Sequence, residues 1–189
     1  DISYEAHPEW FNWLSAADRI LLRWASKQTA KKAKLNFAPT EFVKNEIIKY
    51  YDAPVERIFV TPEAVDSVLL NLPQNINEEI TKIKANYGLK DKFIFYIGSI
   101  FSRRHLPEII DAFEQLTEKE DYQFLLGGRD YTDGKLVDKL VKKMNKKFGR
   151  KAILRVDFIP DNELKLLYSA CAFFIWLSDY EGFGLPVLE

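Results

Sequence analysis

Between residues 93 and 177, short runs of consecutive apolar residues alternate with longer segments in which apolar residues recur every three or four positions. The runs predict buried strands at 93–97, 122–126, 153–156 and 172–177, and the longer segments predict amphipathic helices. The helices are expected to begin at Pro107, at Lys135 and after an N-cap at Asp161. The residues expected to face the core are Ile109, Ile110, Phe113 and Leu116 in the first helix, Leu136, Leu140, Val141 and Met144 in the second, and Leu164, Leu167 and Tyr168 in the third. This alternation, with continuously apolar strands, predicts an α/β fold whose parallel sheet is covered by helices on both faces.

The N-terminal part of the chain is expected to begin with a loop that leads into a long helix. Pro8 and Glu9 are residue types that suit the first turn of that helix. Apolar residues recur at helical spacing at Trp10, Trp13, Leu14, Ala17, Ile20, Leu21, Trp24 and Ala25, and lysines crowd the last part at Lys27, Lys31, Lys32 and Lys34. The pattern favours an interior helix face with a solvated basic end. A basic amphipathic helix lying on a membrane surface stays open as the alternative.

A shorter strand–helix–strand pattern follows. Residues 35–38 and 57–61 predict strands, and the helix between them has Thr40 as its N-cap and carries Val43, Ile47, Ile48 and Tyr51 on one face. The polar segment 67–77 lacks periodicity and predicts a linker. Asn77 is then expected to cap a helix over 78–87 that is closed by Gly88.

Composition narrows the class of protein. With 27 basic and 28 acidic residues the net charge is −1, which gives no general attraction to nucleic acid. The single cysteine, Cys171, rules out a disulfide within the chain and predicts a buried structural thiol. No apolar run approaches the ~20 residues that span a bilayer, and no signal peptide is recognised, so a cytoplasmic location is expected. Because the chain begins at Asp1 and stops at Glu189, shortly after a helix start at Pro186, it is expected to be a piece of a longer protein.

The site is expected where the strands end, since ligands of open α/β sheets bind beyond the carboxyl ends of the strands. Three glycine-bearing loops fall there, at 98–105, 127–133 and 178–184. The first carries Arg103 and Arg104, and adjacent guanidinium groups at a strand end suit a phosphate clamp. A solvated basic turn is the alternative.

The third loop opens the most specific stretch of the sequence, SDYEGFGLPVLE at 178–189. It predicts a strand end, a tight turn at Gly182 and Gly184, and a helix start at Pro186, which together aim backbone N–H groups at one point. Glu181 and Glu189 are separated by seven residues. An ordinary strand-to-helix connection with an acidic first turn is the alternative to a ligand site.

This stretch resembles the E-x7-E segment of GT-B glycosyltransferases, in particular the large retaining family 4, whose usual form is close to S-x-x-E-G-F-G-L-P-x-x-E. Residues 1–11, 40–42 and 60–66 also resemble bacterial members, with Ala64 in place of a usual glycine. The resemblance implies a Rossmann-like GT-B fold. Residues 1–67 would be the last part of an N-terminal, acceptor-side domain, and residues 68–189 would be the donor-binding domain, cut short at its end.

The resemblance also implies a reaction and its residues. Arg103, Arg104 and His105 align with the family segment R-K-N, so Arg104 would bind the donor diphosphate, and Arg103 would replace the arginine that Ser99 displaces. Glu181 would contact the donor sugar and Glu189 the ribose. The implied catalytic residues are Glu181 and Arg104, and the implied donor-binding residues are Gly98, Ser99, Arg103, Arg104, Gly128, Gly182, Phe183, Gly184, Leu185 and Glu189. Trp176 replaces a common proline, and no consequence for the chemistry is expected.

The implied activity is transfer of a sugar, with retention, from a nucleotide-sugar donor to a glycan or lipid-linked acceptor. No metal or other cofactor is implied. The other expected partners are the remainder of the GT-B chain and, under the membrane alternative, the inner face of the membrane. A non-catalytic nucleotide-binding module is the competing hypothesis, and the 189-residue piece alone is expected to be inactive.

Overall fold

A computed structural model describes residues 2–11, 13, 15–66 and 71–189. The chain divides into two compact units, Asp1–Ala64 with Tyr180–Leu185, and Val65–Asp179 with Pro186–Glu189. The predicted boundary between residues 67 and 68 lies outside the described residues.

The first unit packs helices against a small parallel sheet. Its helices are α1 (Ser3–Ala6), α2 (Ala16–Lys32) and α3 (Glu41–Tyr51), its strands are β1 (Asn36–Ala38) and β2 (Ile58–Val60), and 3₁₀ turns cover Pro8–Trp10 and Val55–Arg57. Thr40 caps α3 as predicted, because its hydroxyl accepts a hydrogen bond from the Val43 N–H at 3.1 Å. The core of the unit contains Ile2, Ala38, Val43, Ile47, Tyr51 and Ile58.

The prediction for the first long helix is wrong in two respects. The helix begins at Ala16, after a Ser15 N-cap, whereas Pro8 lies in a separate 3₁₀ turn. The predicted interior face is exposed, with Ile20 at 65% and Trp24 at 60% of their full exposure. The physical reason is that α2 packs on the core of this unit through its C-terminal part, where Ala30 is buried. Leu14 lies outside the described residues.

The second unit holds a four-stranded sheet. Its strands are β3 (Phe93–Ile97), β4 (Gln123–Gly127), β5 (Ile153–Val156) and β6 (Phe173–Phe174), in the order β5-β4-β3-β6, with every pairing parallel. Its helices are α4 (Ile76–Tyr87), α5 (Leu106–Thr117), α6 (Leu136–Phe148) and α7 (Asp161–Ala170), and 3₁₀ turns cover Ser102–Arg104, Asp133–Lys135 and Leu185–Val187. The predicted parallel α/β architecture is confirmed.

Helices cover both faces of this sheet, as the alternation predicts. One face packs Tyr96 and Phe124 with residues of α5 and α6, and the other packs Phe95 and Leu125 with residues of α4 and α7. The central strands β3 and β4 are therefore almost completely buried. Among the described residues, no helix combines the length and the apolar character needed to span a bilayer.

Some details of these elements differ from prediction. The buried strand expected over 172–177 is only two residues long, and Phe173 and Leu177 are 43% and 46% exposed. The reason is that β6 lies at the edge of the described sheet and pairs there with β3 alone. Leu136 is 45% exposed, because the adjacent Val137 occupies the buried position at the start of α6.

The predicted helix starts are also shifted by one or two residues. Asn75 rather than Asn77 precedes α4, and Pro160 rather than Asp161 is the N-cap of α7. Pro186 lies inside one 3₁₀ turn. Short polar residues cluster at these helix starts, so several of them match a capping pattern equally well. Gly88 ends α4 in the left-handed conformation, as predicted.

Candidate functional site

The loops after β3 and β4 run side by side beyond the carboxyl ends of their strands. Gly98 donates a hydrogen bond to the carbonyl of Gly127 at 3.1 Å, and Ile100 pairs with Asp130 in a parallel bridge. A β-carbon on Gly128 would lie 1.9 Å from the carbonyl oxygen of Gly98. Glycine is therefore required at residue 128, and the two loops form one continuous surface.

The loop after β4 is fixed by a buried carboxylate. Asp130 is 7% exposed and accepts hydrogen bonds from the Thr132 N–H, the Thr132 hydroxyl and the Asp138 N–H, at 2.9, 2.6 and 3.0 Å. These contacts join the loop to the first turn of α6. The loop is thereby held in one conformation beside Gly98 and Gly128.

Arg103 and Arg104 follow β3 in a 3₁₀ turn and are both buried, at 8% and 7% exposure. The guanidinium carbon of Arg104 lies 4.0 Å from the ring centroid of Trp176, and that of Arg103 lies 4.9 Å from the ring centroid of Phe101. A solvated basic turn would expose these side chains, so that alternative is wrong. Two buried cations, each on an aromatic face, can form a rigid site for an anion.

Trp176 is the residue of this region that sequence reasoning undervalued. It continues the chain beyond β6, stacks on Tyr96 with centroids 5.5 Å apart, and lies against Gly98, where an added β-carbon would approach its ring to 2.9 Å. The only sequence signal is an aromatic residue at a position where the resemblance to glycosyltransferases implies proline. Within an apolar run, that signal is indistinguishable from ordinary core packing.

A polar link joins the loop after β3 to the chain beyond β6. His105 Nε2 lies 2.8 Å from the Asp179 carboxylate, and the Asp179 N–H donates to the carbonyl of Arg103 at 3.1 Å. The hydrogen bond to Asp179 raises the pKa of His105 above its ordinary value, and Glu108, at 3.7 Å, adds to the effect. His105 adopts a left-handed backbone conformation, with φ at 52°, immediately before α5.

Glu189 has a partner on α7. Its carboxylate accepts a hydrogen bond from the hydroxyl of Tyr168 at 2.9 Å, and burial together with this bond raises the pKa of Tyr168. The Tyr168 ring packs edge-on against Phe95 and Phe174. Because a carboxylate can accept about four hydrogen bonds, Glu189 retains capacity for further donors. Tyr168 was predicted as a core residue, and its pairing with Glu189 could not be foreseen from their separation in the sequence.

The middle of the stretch 178–189 belongs to the first unit and is anchored there. The carbonyl of Gly182 accepts a hydrogen bond from the Thr40 hydroxyl at 2.9 Å. Tyr180 is 4% exposed and packs against Phe42, His7 and Trp10. Burial raises the pKa of Tyr180 to about 12. Glu181 lies between these two anchors and is half-buried, as are the turn residues Phe183, Gly184 and Leu185.

Other candidate chemistry is limited in the part of the chain that the structure describes. No three His, Cys, Asp or Glu side chains there converge as a metal site would require. Cys171 is half-buried, its thiol donates to the Tyr168 carbonyl at 3.2 Å, and burial raises its pKa. A thiol held protonated in this way is suited to packing rather than to nucleophilic chemistry.

Comparison with known proteins identifies the family to which this sequence is similar. Residues 77–189 match the family model described as "Glycosyl transferases group 1". The whole chain is 27% identical to O-antigen chain mannosyltransferase B of Escherichia coli and spans 48% of its length. A second relative, the serotype-specific mannosyltransferase WbdA of Escherichia coli, is 28% identical over 84% of this chain, which spans 20% of WbdA.

A solved structure supports the fold. The crystal structure of Anabaena HepE in complex with UDP and glucose superposes on 95% of this chain and 46% of its own, with a TM-score of 0.72 and 19% identity. This likeness confirms the α/β fold class of GT-B type. The chain thus spans about half the length of HepE and of O-antigen chain mannosyltransferase B.

Proposed function

Because this chain belongs to the group 1 glycosyl transferases, we propose that the full-length protein transfers a sugar from a nucleotide-sugar donor to an acceptor hydroxyl. The observation that carries the proposal is the pair of buried arginines at the carboxyl end of β3, beside the close-packed loops of Gly98 and Gly128. An anionic diphosphate suits this combination of fixed cations and closely approaching backbone.

The donor's diphosphate is assigned to Arg103 and Arg104, with the backbone at Gly98, Ser99 and Gly128 beside it. Negative charge grows on the diphosphate as the glycosidic bond breaks. Cations that are already fixed in place stabilise that charge without reorganising at the moment of reaction. The burial of both arginines supports this role, since a buried guanidinium is held more rigidly than one on a mobile surface loop.

The nucleoside and the sugar are assigned to the two glutamates. Glu189, oriented by Tyr168, would hold the ribose hydroxyls, and Glu181 would orient the donor sugar, with the backbone of Gly182–Leu185 against sugar and phosphate. The hydrogen bond from Tyr168 supports the first assignment, because it fixes one side of the Glu189 carboxylate. The reaction proceeds with retention by a front-face route in which the leaving phosphate assists, as the resemblance to family 4 implies, and it uses no metal ion.

The class of substrate follows from the named relatives. Two of them are mannosyltransferases, one of which is named for the O-antigen chain, and HepE was solved with UDP and glucose. We therefore propose a hexose donor and a glycan or lipid-linked saccharide as the acceptor. Residues 1–67 belong to the acceptor-side domain and residues 68–189 to the donor domain, and catalysis requires the remainder of the full-length protein.

The test is turnover by the full-length protein. It is incubated with UDP-glucose, GDP-mannose and ADP-glucose, one at a time, and a panel of bacterial glycan and lipid-linked acceptors, while nucleoside diphosphate release is measured. We expect release with one donor, dependence on an acceptor, and an anomeric proton of the product that retains the donor's configuration. Tight nucleotide binding without turnover would instead favour a non-catalytic nucleotide-binding module, and inversion would overturn the retaining assignment.

A further inference from the structure

We propose that Trp176 positions Arg104 for the donor, by holding its guanidinium group over the indole ring at the carboxyl end of the sheet. This inference rests on the proposed function, since it concerns how Arg104 is presented to the diphosphate. It gives a role in the reaction to a residue that makes no predicted contact with substrate.

The guanidinium group of Arg104 lies over the indole ring of Trp176. The guanidinium carbon of Arg104 lies 4.0 Å from the Trp176 ring centroid, well inside the roughly 6 Å within which a cation is attracted to an aromatic face. Tryptophan offers the strongest such face, and a planar guanidinium can also stack on it. Arg104 is 7% exposed, so the attraction is little weakened by water.

The indole of Trp176 is itself held in place by contacts on several sides. It stacks on Tyr96, which is fully buried, at 5.5 Å, and on Phe174 at 6.0 Å, with interplanar angles of 20° and 21°. Its far edge lies against Gly98, where any β-carbon would approach the ring to 2.9 Å. The ring is thus tied to two strands and to the glycine that begins the loop carrying Arg104.

Two other roles for Trp176 are core filling and hydrogen bonding through its indole N–H. The indole stacks on Tyr96 and Phe174 as a core ring would, but its ring centroid also lies 4.0 Å from the guanidinium carbon of Arg104, and filling the core does not require that contact with a cation. The indole Nε1–H is buried and has no hydrogen-bond acceptor among the described residues. A role for that N–H is therefore the main competitor, and phenylalanine, which keeps a ring but lacks the donor, separates the two.

The experiment begins with a readout that does not depend on activity. In the nitrogen-15 NMR spectrum of the full-length protein, the Arg104 Nε–Hε signal is assigned by its loss in Arg104→Ala. We expect the indole ring current to displace this signal upfield in the wild type. Trp176→Leu should return it towards its ordinary position, and Trp176→Phe should keep most of the displacement. Trp24→Leu is the matched control, because Trp24 is 60% exposed on α2, and it should change nothing.

The second readout is the turnover number with the donor identified above. We expect Trp176→Leu to lower kcat about tenfold with a smaller effect on KM, as loss of one desolvated cation–π contact would do. Trp176→Phe should retain most of the activity. In an Arg104→Ala background, Trp176→Leu should cause no further loss, because both changes remove the same contribution.

Each contrary outcome identifies which idea fails. An Arg104 signal that is unchanged in Trp176→Leu would overturn the stacking whatever the activity, and fully additive effects on kcat would overturn the positioning role. Equal damage from Trp176→Phe and Trp176→Leu would assign the effect to the indole N–H and overturn this proposal. If the signal moves as expected but Arg104→Ala changes neither kcat nor the affinity for UDP or GDP, the proposed function fails at Arg104 and the positioning role fails with it.

Discussion

Arg104 is the residue at which the proposed chemistry can be tested most directly. Its buried guanidinium would meet more negative charge in the transition state than in the bound donor, so its loss should affect turnover more than binding. We expect Arg104→Ala to lower kcat by ~10²-fold or more, as for loss of one preorganised oxyanion donor. Arg104→Lys should recover much of this, because the charge remains, but not all, because an ammonium lacks the planar face that stacks on Trp176.

Steady-state kinetics of these variants, with Arg103→Ala beside them, decides between neighbouring residues. Arg103 lies on Phe101 rather than on Trp176, so its loss should matter less unless it replaces the family arginine that Ser99 displaces. If Arg104→Ala leaves kcat intact while Arg103→Ala abolishes turnover, the alignment of this loop is wrong by one residue. If neither change matters, the diphosphate site lies elsewhere.

Glu189 gives a second test at the residue scale, on binding rather than turnover. If its carboxylate holds ribose hydroxyls, Glu189→Ala should weaken both the free nucleoside diphosphate and the intact donor, by about 1.5–3 kcal/mol for a charged hydrogen-bond acceptor. Calorimetric titration with UDP and GDP measures this. Tyr168→Phe is the matched control, since it removes the hydroxyl that donates to Glu189 but keeps the carboxylate. It should lower the binding free energy of the nucleoside diphosphate by less than Glu189→Ala does. Unchanged nucleoside diphosphate affinity in Glu189→Ala would reduce Glu189 to a structural partner of Tyr168.

The sequence predicts the charged residues of this site better than their aromatic supports. Arg103, Arg104 and Glu189 stand in motifs whose residue types suggest a ligand. Trp176 and Tyr168 stand among other apolar and aromatic residues, where a supporting role and simple core packing produce the same pattern. Only the fold brings Trp176 under Arg104 and Tyr168 to Glu189, because these pairs are distant in the sequence and meet through strand pairing and helix packing.

At the scale of elements, the link between the loop after β3 and the chain beyond β6 should depend on pH. The hydrogen bond to Asp179 raises the pKa of His105 above its ordinary 6.5, with Glu108 as the second acidic neighbour. The imidazolium–carboxylate contribution to stability is therefore complete below about pH 6.5 and is lost as pH rises through the folded-state pKa. Because the two side chains are 35% and 52% exposed, solvent screening keeps this contribution small.

The measurement is the free energy of unfolding of the full-length protein between pH 5.5 and 8.5, for wild type and His105→Asn. Asparagine does not titrate, and it stands at this position in the R-K-N segment that residues 103–105 resemble. We expect wild type to have the larger free energy of unfolding at low pH. The difference in that free energy between wild type and His105→Asn should shrink as pH rises. Asp179→Asn should remove most of the pH dependence of that difference and leave only the smaller part due to Glu108. A difference between wild type and His105→Asn that grows with pH would contradict the assignment of the raised pKa to this pair.

At the scale of elements, the sequence pattern predicts the bounds of β3 and β5 correctly, but it fails for the strand at β6 and for the buried face of α2. The strands β3 and β5 have the predicted bounds, because β3 is apolar throughout and ends before Gly98, and β5 is apolar except for Arg155 and ends before Asp157. The strand at 172–177 is equally apolar, yet only Phe173 and Phe174 pair, since pairing depends on neighbours that the local pattern does not report. The apolar face of α2 is exposed for a similar reason. Helical periodicity indicates that a helix has an apolar face, but it does not show which part of the protein covers that face.

At the scale of the whole molecule, the stretch 178–189 belongs to both units in turn. Ser178 and Asp179 lie in the second unit, Tyr180–Leu185 in the first, and Pro186–Glu189 in the second again. The sequence presents this stretch as one motif, and the resemblance assigns it to one domain. The structure shows separate anchors instead, with Thr40 bound to Gly182 in the first unit and Tyr168 bound to Glu189 in the second.

The last prediction concerns what the whole site uses to neutralise its ligand. The charge partners proposed for the diphosphate are Arg103, Arg104 and backbone N–H groups, which together supply positive charge without a divalent cation. We therefore expect the full-length protein to bind its donor equally well in EDTA and in Mg²⁺. Calorimetry with the donor in both buffers measures this, and Arg104→Ala, which should weaken donor binding in either buffer, serves as the control. A fall in affinity of tenfold or more in EDTA, about 1.4 kcal/mol, that is restored by Mg²⁺ would show that a metal ion shares the diphosphate charge and would count against the assignment to arginines alone.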